Sequence, residues 1–308
     1  MRNLFHYRLD KDSSKCAEAD WQNILRRDHA SWEGISSEQQ AIILSFLIKF
    51  NSTILQCGRF DFRKGSIGNF FFTGARLVFN SLTAALWLYA KMAGIPEQTK
   101  IIPAVSTNAQ ITIAAELEDG CIIKEQKNIS YEHGVVDKDI NVLNSRLISP
   151  IKRLFSINQY GDSFTPDTNP ELLHSLLMQD NLVYSFGSFF TSILSVCILP
   201  GVGEVIAKRK IPKIFMLNGF PDRETHGFTA VKILLALQAG LNRYGQLDFS
   251  LNDYVSEIWY VEGTTIPIDI KELQSKGLGV VALPRDPDNE MPYYLIPALV
   301  HRLRETLV

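Results

Sequence analysis

A chain of 308 residues, 46% hydrophobic and 21% charged, carries enough apolar side chains to bury its own core, which excludes a disordered protein and a disulfide-stapled miniprotein. Its 31 basic residues nearly cancel 33 acidic ones, leaving a formal net charge of −2. That balance gives no global pull toward nucleic acid or anionic lipid, so any anionic ligand has to be gripped locally.

The N-terminus, Met1-Arg2-Asn3-Leu4-Phe5-His6-Tyr7-Arg8, is followed by Asp10, Lys11 and Asp12 and lacks the apolar stretch of a secretory signal. Helix-like, charged material containing Trp21 and Trp32 comes next. Residues 41–55 are apolar on most sides but carry Lys49 and Asn51, which reads as a buried helix because a membrane span needs roughly 20 unbroken apolar residues. Residues 69–93 are long enough to span, yet Arg76, Asn80 and Lys91 point to one long buried helix instead.

From residue 101 the pattern changes to short β-branched runs. Residues 101–105 read as a strand, and 111–117 with 121–123 as an antiparallel hairpin around Glu118-Asp119-Gly120. A polar stretch with Asp137 and Asp139 reads as solvated loop, and 152–157 as a strand. The chain then alternates: helix 170–178, strand 182–186, a loop-helix region to Lys210, strand 213–217, helix 228–244, strand 257–261, helix 270–276, strand 279–283 and a terminal helix 292–306. This predicts an α/β fold with a mostly parallel sheet, helices on both faces and an antiparallel hairpin. No repeat or linker interrupts it, so residues 1–59 read as a helical segment and 60–308 as an α/β domain, together one domain. Cys16, Cys57, Cys121 and Cys197 form no C-x-x-C pair, which fits reduced thiols in a cytoplasmic chain.

Ligands of open parallel sheets sit beyond the carboxyl ends of the strands. Here those ends lead into Ser106-Thr107-Asn108, Gly187-Ser188 followed by Thr191-Ser192, Asn218-Gly219 followed by Glu224-Thr225-His226, and Glu262-Gly263-Thr264-Thr265. The Gly187 to Ser192 segment has the composition of an anion cradle, and equally that of an ordinary capped strand-to-helix turn. Lys64-Gly65-Ser66-Ile67-Gly68-Asn69 offers a second such loop beside Arg59 and Arg63. Glu224 and His226 have the chemistry of an acid/base pair, although such a loop pair is more often structural. No Walker loop, G-x-G-x-x-G, G-x-S-x-G or H-E-x-x-H is present, which removes the corresponding nucleotide, hydrolase and zinc readings.

Several segments together resemble a known family. DFRKGSIGNFFFTGA resembles the D-F-R-x-x-S-x-G-N-L signature of the 2-phospho-L-lactate transferase (CofD-like) family, which also contains the bacterial gluconeogenesis factor. In the same order, IIPAVSTNAQITIAAELEDGCIIKEQKNIS resembles its hairpin block, YSFGSFFTSILSVCILPGVGEVI its G-P-G-S-x-x-T-S-I block, and MLNGFPDRETHGFTA its N-x-x-x-x-x-x-E-T-x-G-F block. The resemblance covers about residues 60–244 and implies a Rossmann-like sheet. It also implies a site for phosphates at the strand C-terminal loops, made of Ser66, Gly68, Asn69, Thr107, Asn108, Gly187, Ser188, Thr191, Ser192 and Asn218. The implied activity moves a phospholactyl-type group from a nucleotide-diphosphate donor to a hydroxyl acceptor, assisted by Mg2+. Two alternatives stay open: a non-catalytic nucleotide-sugar-binding regulator like the gluconeogenesis factor, or a truncated inactive member. The implied partner is a nucleotide-linked small molecule, with no nucleic acid and no membrane, and the family's habit implies a homodimer.

Departures from the pattern are local. Phe186 stands where the family has proline and Ser185 where it has the first glycine. The usual initial glycine-rich strand-loop and acidic D-D-G-G segment have no counterpart before Phe60, so the natural place for a metal and an acceptor is expected to be missing.

Overall fold

The computed structural model describes residues 1–56, 58, 60–107, 109, 111–130 and 147–307. The chain divides into two compact units, Met1–Pro103 and Ala104–Val308. The segment that follows Asp61 therefore stays with the N-terminal helices, not with the sheets.

The first unit is helical: α1 (Arg2–His6), α2 (Ser14–Arg26), α3 (Ser37–Gln56), α4 (Ile67–Phe79) and α5 (Leu82–Met92). Its core is aromatic, built on Trp21, Phe46, Phe50, Phe70 and Phe71, with Phe50 stacked on Phe70 at 4.3 Å between centroids. Asn51 interrupts the apolar run of α3 for a reason: its Oδ1 accepts the buried Trp21 indole N–H at 2.9 Å. The predicted helix 69–93 is in fact two helices. Asn80 takes a left-handed conformation (φ 52) that ends α4, and the Ser81 hydroxyl accepts the Ala84 N–H at 3.2 Å to start α5. An Asn-Ser pair acting as stop and start is capping chemistry, which the continuous apolarity of the run conceals.

The second unit holds, among the described residues, two four-stranded sheets. One is antiparallel, in the order β2-β1-β3-β4, from β1 (Thr112–Leu117), β2 (Ile122–Lys124), β3 (Ile151–Ile157) and β4 (Ser163–Phe164). The other is parallel, in the order β5-β6-β7-β8, from β5 (Leu182–Tyr184), β6 (Lys213–Met216), β7 (Glu257–Val261) and β8 (Gly279–Leu283). The helices are α6 (Gln126–Ser130), α7 (Pro170–Met178), α8 (Ser195–Cys197), α9 (Val202–Lys208), α10 (Ala230–Leu241), α11 (Leu251–Tyr254), α12 (Ile270–Ser275) and α13 (Ile296–Leu307).

The predicted hairpin is present as β1 and β2 and the predicted parallel sheet as β5 to β8, but the hairpin belongs to a second, antiparallel sheet. Residues 152–157, read as a strand, pair antiparallel with β1. Residues 101–105 form no strand, and only Val105 pairs, in a single bridge with Thr168. Pro103 has no N–H to give to a ladder and restricts the residue before it.

The side chains of the parallel strands alternate between two cores. Phe215, Leu217 and Ile258 face one that includes Leu234, Leu237 and Leu241 of α10, together with Ala115, Ile151 and Leu154 of the antiparallel sheet. Ile214, Met216, Trp259 and Val261 face another with Leu299 of α13. Burial on both faces explains why these strands read as continuous apolar runs. Among the described residues no single helix is long and apolar enough to cross a membrane. Cys16 and Cys121 are exposed and Cys197 buried, all three unpaired, and Cys57 lies outside the described residues.

Lys213, at the start of β6, is 3% exposed, and its ammonium donates to the carbonyls of Arg209 at 2.7 Å and Asp253 at 2.5 Å. Burial, aided by the Lys210 charge, pushes its pKa down to about 8. The folded chain then gives up this proton before the unfolded chain does, where lysines titrate near ~10.4, so stability rises with pH between those values. Urea titrations of wild type and Lys213→Met, compared at pH 8 and roughly pH 9.5, should show the difference growing in favour of wild type. A constant difference would show that the amine is not held against its preferred charge.

Candidate functional site

At the carboxyl edge of the parallel sheet, β5 gives way to Gly187-Ser188 and a six-residue π-helical turn, Phe189–Leu194. β6 gives way to Asn218-Gly219 and the loop 220–229. Gly187 has φ 150, a conformation other residues rarely adopt. Its carbonyl accepts the Asn218 amide N–H at 2.9 Å, which ties the two strand-end loops together.

The second tie is Glu224, only 2% exposed. Its Oε2 accepts the backbone N–H groups of Phe190 at 2.9 Å and Thr191 at 3.0 Å. Its Oε1 accepts the Thr191 hydroxyl at 2.6 Å and the Ser130 hydroxyl at 2.6 Å. Four donors converge on one carboxylate, the arrangement an ionised group requires when it leaves water. Burial pushes the Glu224 carboxyl up, while the Ser130 and Thr191 hydroxyls pull it back toward the ionised form. Asp222 shapes the loop that delivers it, accepting the N–H of Glu224 at 3.0 Å, the N–H of Thr225 at 3.0 Å and the Thr225 hydroxyl at 2.8 Å.

The predicted site residues fall into distinct places. Gly187, Ser188, Thr191, Ser192 and Asn218 are brought together at this edge. Thr191 is 4% exposed and has spent its N–H and hydroxyl on Glu224, so it holds the turn in place and offers a ligand no donor. Ser192 is exposed, and Ser188 occupies the cap position of the turn without a side-chain cap bond. Thr107 is exposed, with its hydroxyl accepting the Ala109 N–H at 3.0 Å, and Asn108 lies outside the described residues. Ser66 caps α4, its hydroxyl accepting the Asn69 N–H at 3.4 Å; Gly68 is buried where the Phe5 carbonyl approaches it, and Asn69 is exposed. Those three belong to the first unit, and the edge described here is built from the second unit alone. Asp137 and Asp139 also lie outside the described residues.

Glu224 is therefore an internal acceptor, and the acid/base pairing with His226 does not form a proton-transfer site. The E-T-x-G-F motif marked Glu224 as notable. Ser130, ninety-odd positions earlier, carried no signal of its own.

A narrow recess of about 10 Å3, room for little more than one water, lies at this edge and is lined by Gly187, Asn218 and Thr225 together with apolar residues such as Phe189 and Ile266. Among the described residues no group of three or more His, Cys, Asp or Glu side chains converges, and both Glu224 oxygens face N–H and O–H donors.

Polar loops at the carboxyl ends of a parallel four-stranded sheet place the second unit among mixed α/β proteins with an open sheet. The chain belongs to the CofD family, whose model, described as 2-phospho-L-lactate transferase, matches residues 1–283. The match begins well before Phe60, where the motifs begin, and so takes in the helical N-terminal segment. An uncharacterised protein of Saccharomyces cerevisiae, YNL011C, is 27% identical over 86% of this chain and 76% of its own length. The gluconeogenesis factor of Bacillus subtilis is 25% identical over 72% of this chain and 64% of its own length, so the chain spans less than two thirds of that relative. A crystal structure of a UPF0052 family member from Bacillus halodurans shares the fold, with a TM-score of 0.57 at 18% identity over 92% of this chain and 84% of that one.

If Glu224 organises this edge, Glu224→Ala leaves two N–H groups and one of the two hydroxyls without an acceptor and should cost at least about 3 kcal/mol in chemical denaturation. Ser130→Ala, which removes one donor of four, should cost about 1 kcal/mol. Wild-type stability in Glu224→Ala would show that the carboxylate is dispensable.

Proposed function

We propose that the chain binds a nucleotide-linked, phosphate-bearing small molecule at the carboxyl edge of its parallel sheet and acts as a binding protein of the gluconeogenesis-factor kind. The observation that carries this reading is the division of labour in the turn after β5. Glu224 accepts the N–H groups of Phe190 and Thr191 and the Thr191 hydroxyl, while Ser192 is exposed and Ser188 makes no cap bond in a loop tied to Asn218. Preorganised hydroxyl and amide groups suit phosphate oxygens without a cluster of positive charge. This agrees with a chain of near-neutral charge. On this reading the four parallel strands serve as a Rossmann-like platform, and the protein works in the cytoplasm on a small molecule.

A second reading is transfer of a phosphate-linked group to a hydroxyl acceptor. It is favoured by the description of the family model and by the chemistry of such transfers, which asks mainly for positioning and charge stabilisation and little covalent work from side chains. The two separate experimentally. Stabilisation of the native chain by a UDP-sugar in a thermal-shift assay, with no turnover of a phospholactyl nucleotide donor and a deazaflavin acceptor, supports the binding protein. Product formation supports the transferase, and no shift with any nucleotide removes both.

Within the binding reading, Ser188→Ala should weaken nucleotide affinity roughly tenfold while leaving stability within about 0.5 kcal/mol, because Ser188 makes no cap bond. Calorimetric titration and urea unfolding of the same preparation check both halves. Unchanged affinity would take Ser188 out of the site.

A further inference from the structure

After β8 the chain does not go directly into the predicted terminal helix. Residues 284–295 fold back over the carboxyl edge first, and α13 starts at Ile296. The Leu295 N–H donates to the Pro284 carbonyl at 2.9 Å and the Asp286 N–H to the Tyr293 carbonyl at 2.8 Å, closing the strap on itself. Arg285 reinforces it by donating to the carbonyls of Asn289 at 2.6 Å and Glu290 at 2.7 Å. The Tyr294 hydroxyl then pins the strap to the sheet, donating its proton to the carbonyl of Leu217 at 2.6 Å, just past β6, with the carbonyl of Trp259 in the middle of β7 at 3.0 Å sharing it. Gly219 is the point of closest approach: a Cβ there would collide with the Pro292 carbonyl.

This strap brings rings to the edge. Tyr294 packs on Phe186 at 5.0 Å between centroids, and Tyr293 on Phe220 at 5.6 Å. Phe186 immediately precedes Gly187, and Phe220 lies two residues after Asn218, so each of the two ring pairs stands next in sequence to one of the polar groups described above. Phe186 is 45% exposed and Tyr293 48% exposed. Aromatic faces left open at a ligand edge, on a backbone tied down at both ends, offer a flat surface at little ordering cost. The family match stops at residue 283, immediately before the strap, so these two tyrosines lie outside the part common to the family.

We infer that Phe186 and Tyr293 form a stacking shelf for the planar base of the nucleotide-linked ligand, with Ser188 and Asn218 at the phosphate end of the same site. The inference rests on the binding reading above and adds to it where the base lies and which residues select for a base. Stacking on an aromatic face tolerates different bases and is lost with the ring.

The test uses the full chain titrated calorimetrically with UDP, with GDP and with inorganic pyrophosphate. Tyr293→Ala and Phe186→Ala should each weaken the nucleoside diphosphate that wild type binds by about tenfold or more, leave pyrophosphate unchanged, and melt like wild type, while Tyr293→Phe keeps wild-type affinity. Nucleoside diphosphate affinity unchanged in both alanine variants overturns the shelf and leaves the phosphate edge standing. Equal losses for nucleotide and pyrophosphate also overturn it, since the rings would then be shaping the loop and not meeting a base. If wild type binds neither nucleoside diphosphate nor pyrophosphate, the binding reading and the shelf fall together.

Discussion

A carboxylate taken out of water must be met by donors, and in this chain that requirement falls on Glu224. Its four hydrogen bonds reach three parts of the second unit at once: the end of α6 through Ser130, the turn after β5 through Phe190 and Thr191, and the loop after β6 that carries the glutamate itself. None of these segments has a ladder to hold it. Strands β5 and β6 stop at Tyr184 and Met216, and beyond them backbone turns pair some groups while side chains must pair others. Glu224 and Asn218 supply those partners, so the shape of the carboxyl edge follows from them.

The rest of the second unit makes that edge available. Alternating side chains of β6 and β7 feed two separate cores, one shared with α10 and the antiparallel sheet, the other with α13. Both faces of the parallel sheet are thereby covered, and its carboxyl end is the place where short loops can face a ligand. The strand order β5-β6-β7-β8 runs without reversal, so the described sheet contains no switch point to open a crevice by topology. The opening has to be shaped by what lies on the edge, and the strap pinned by Tyr294 is what lies there.

The elements most legible in the sequence were those with a single strong period. Strands 257–261 and 279–283 and helix 170–178 match the structure residue for residue, because apolar runs bounded by turn residues leave little choice. Where two signals competed, the apolar one misled. The capping pair Asn80-Ser81 breaks a run that hydrophobicity alone makes continuous, and Pro103 keeps residues 101–105 out of any ladder despite their β-branched content. Partnership between sheets was not legible at all, since 152–157 reads the same whether its neighbour runs parallel or antiparallel. At the edge, the composition of residues 187–192 pointed to the right place, but which donors face outward depended on Glu224 and Ser130, contacts that span 33 and 94 positions.

The same accounting of donors bears on what the edge can recognise. Glycine, serine and threonine after a strand can cradle an external phosphate or an internal carboxylate, and one set of N–H groups cannot do both. Here the N–H groups of Phe190 and Thr191 are committed to Glu224, so an anion arriving at the edge meets hydroxyls and amide groups instead of a bare helix end. Such groups orient a phosphate more than they attract it, and the near-zero net charge adds no long-range pull. On the proposed binding reading, affinity then comes from another part of the ligand, and the open rings of Phe186 and Tyr293 would provide it, favouring a planar group attached to the phosphates over free inorganic anions.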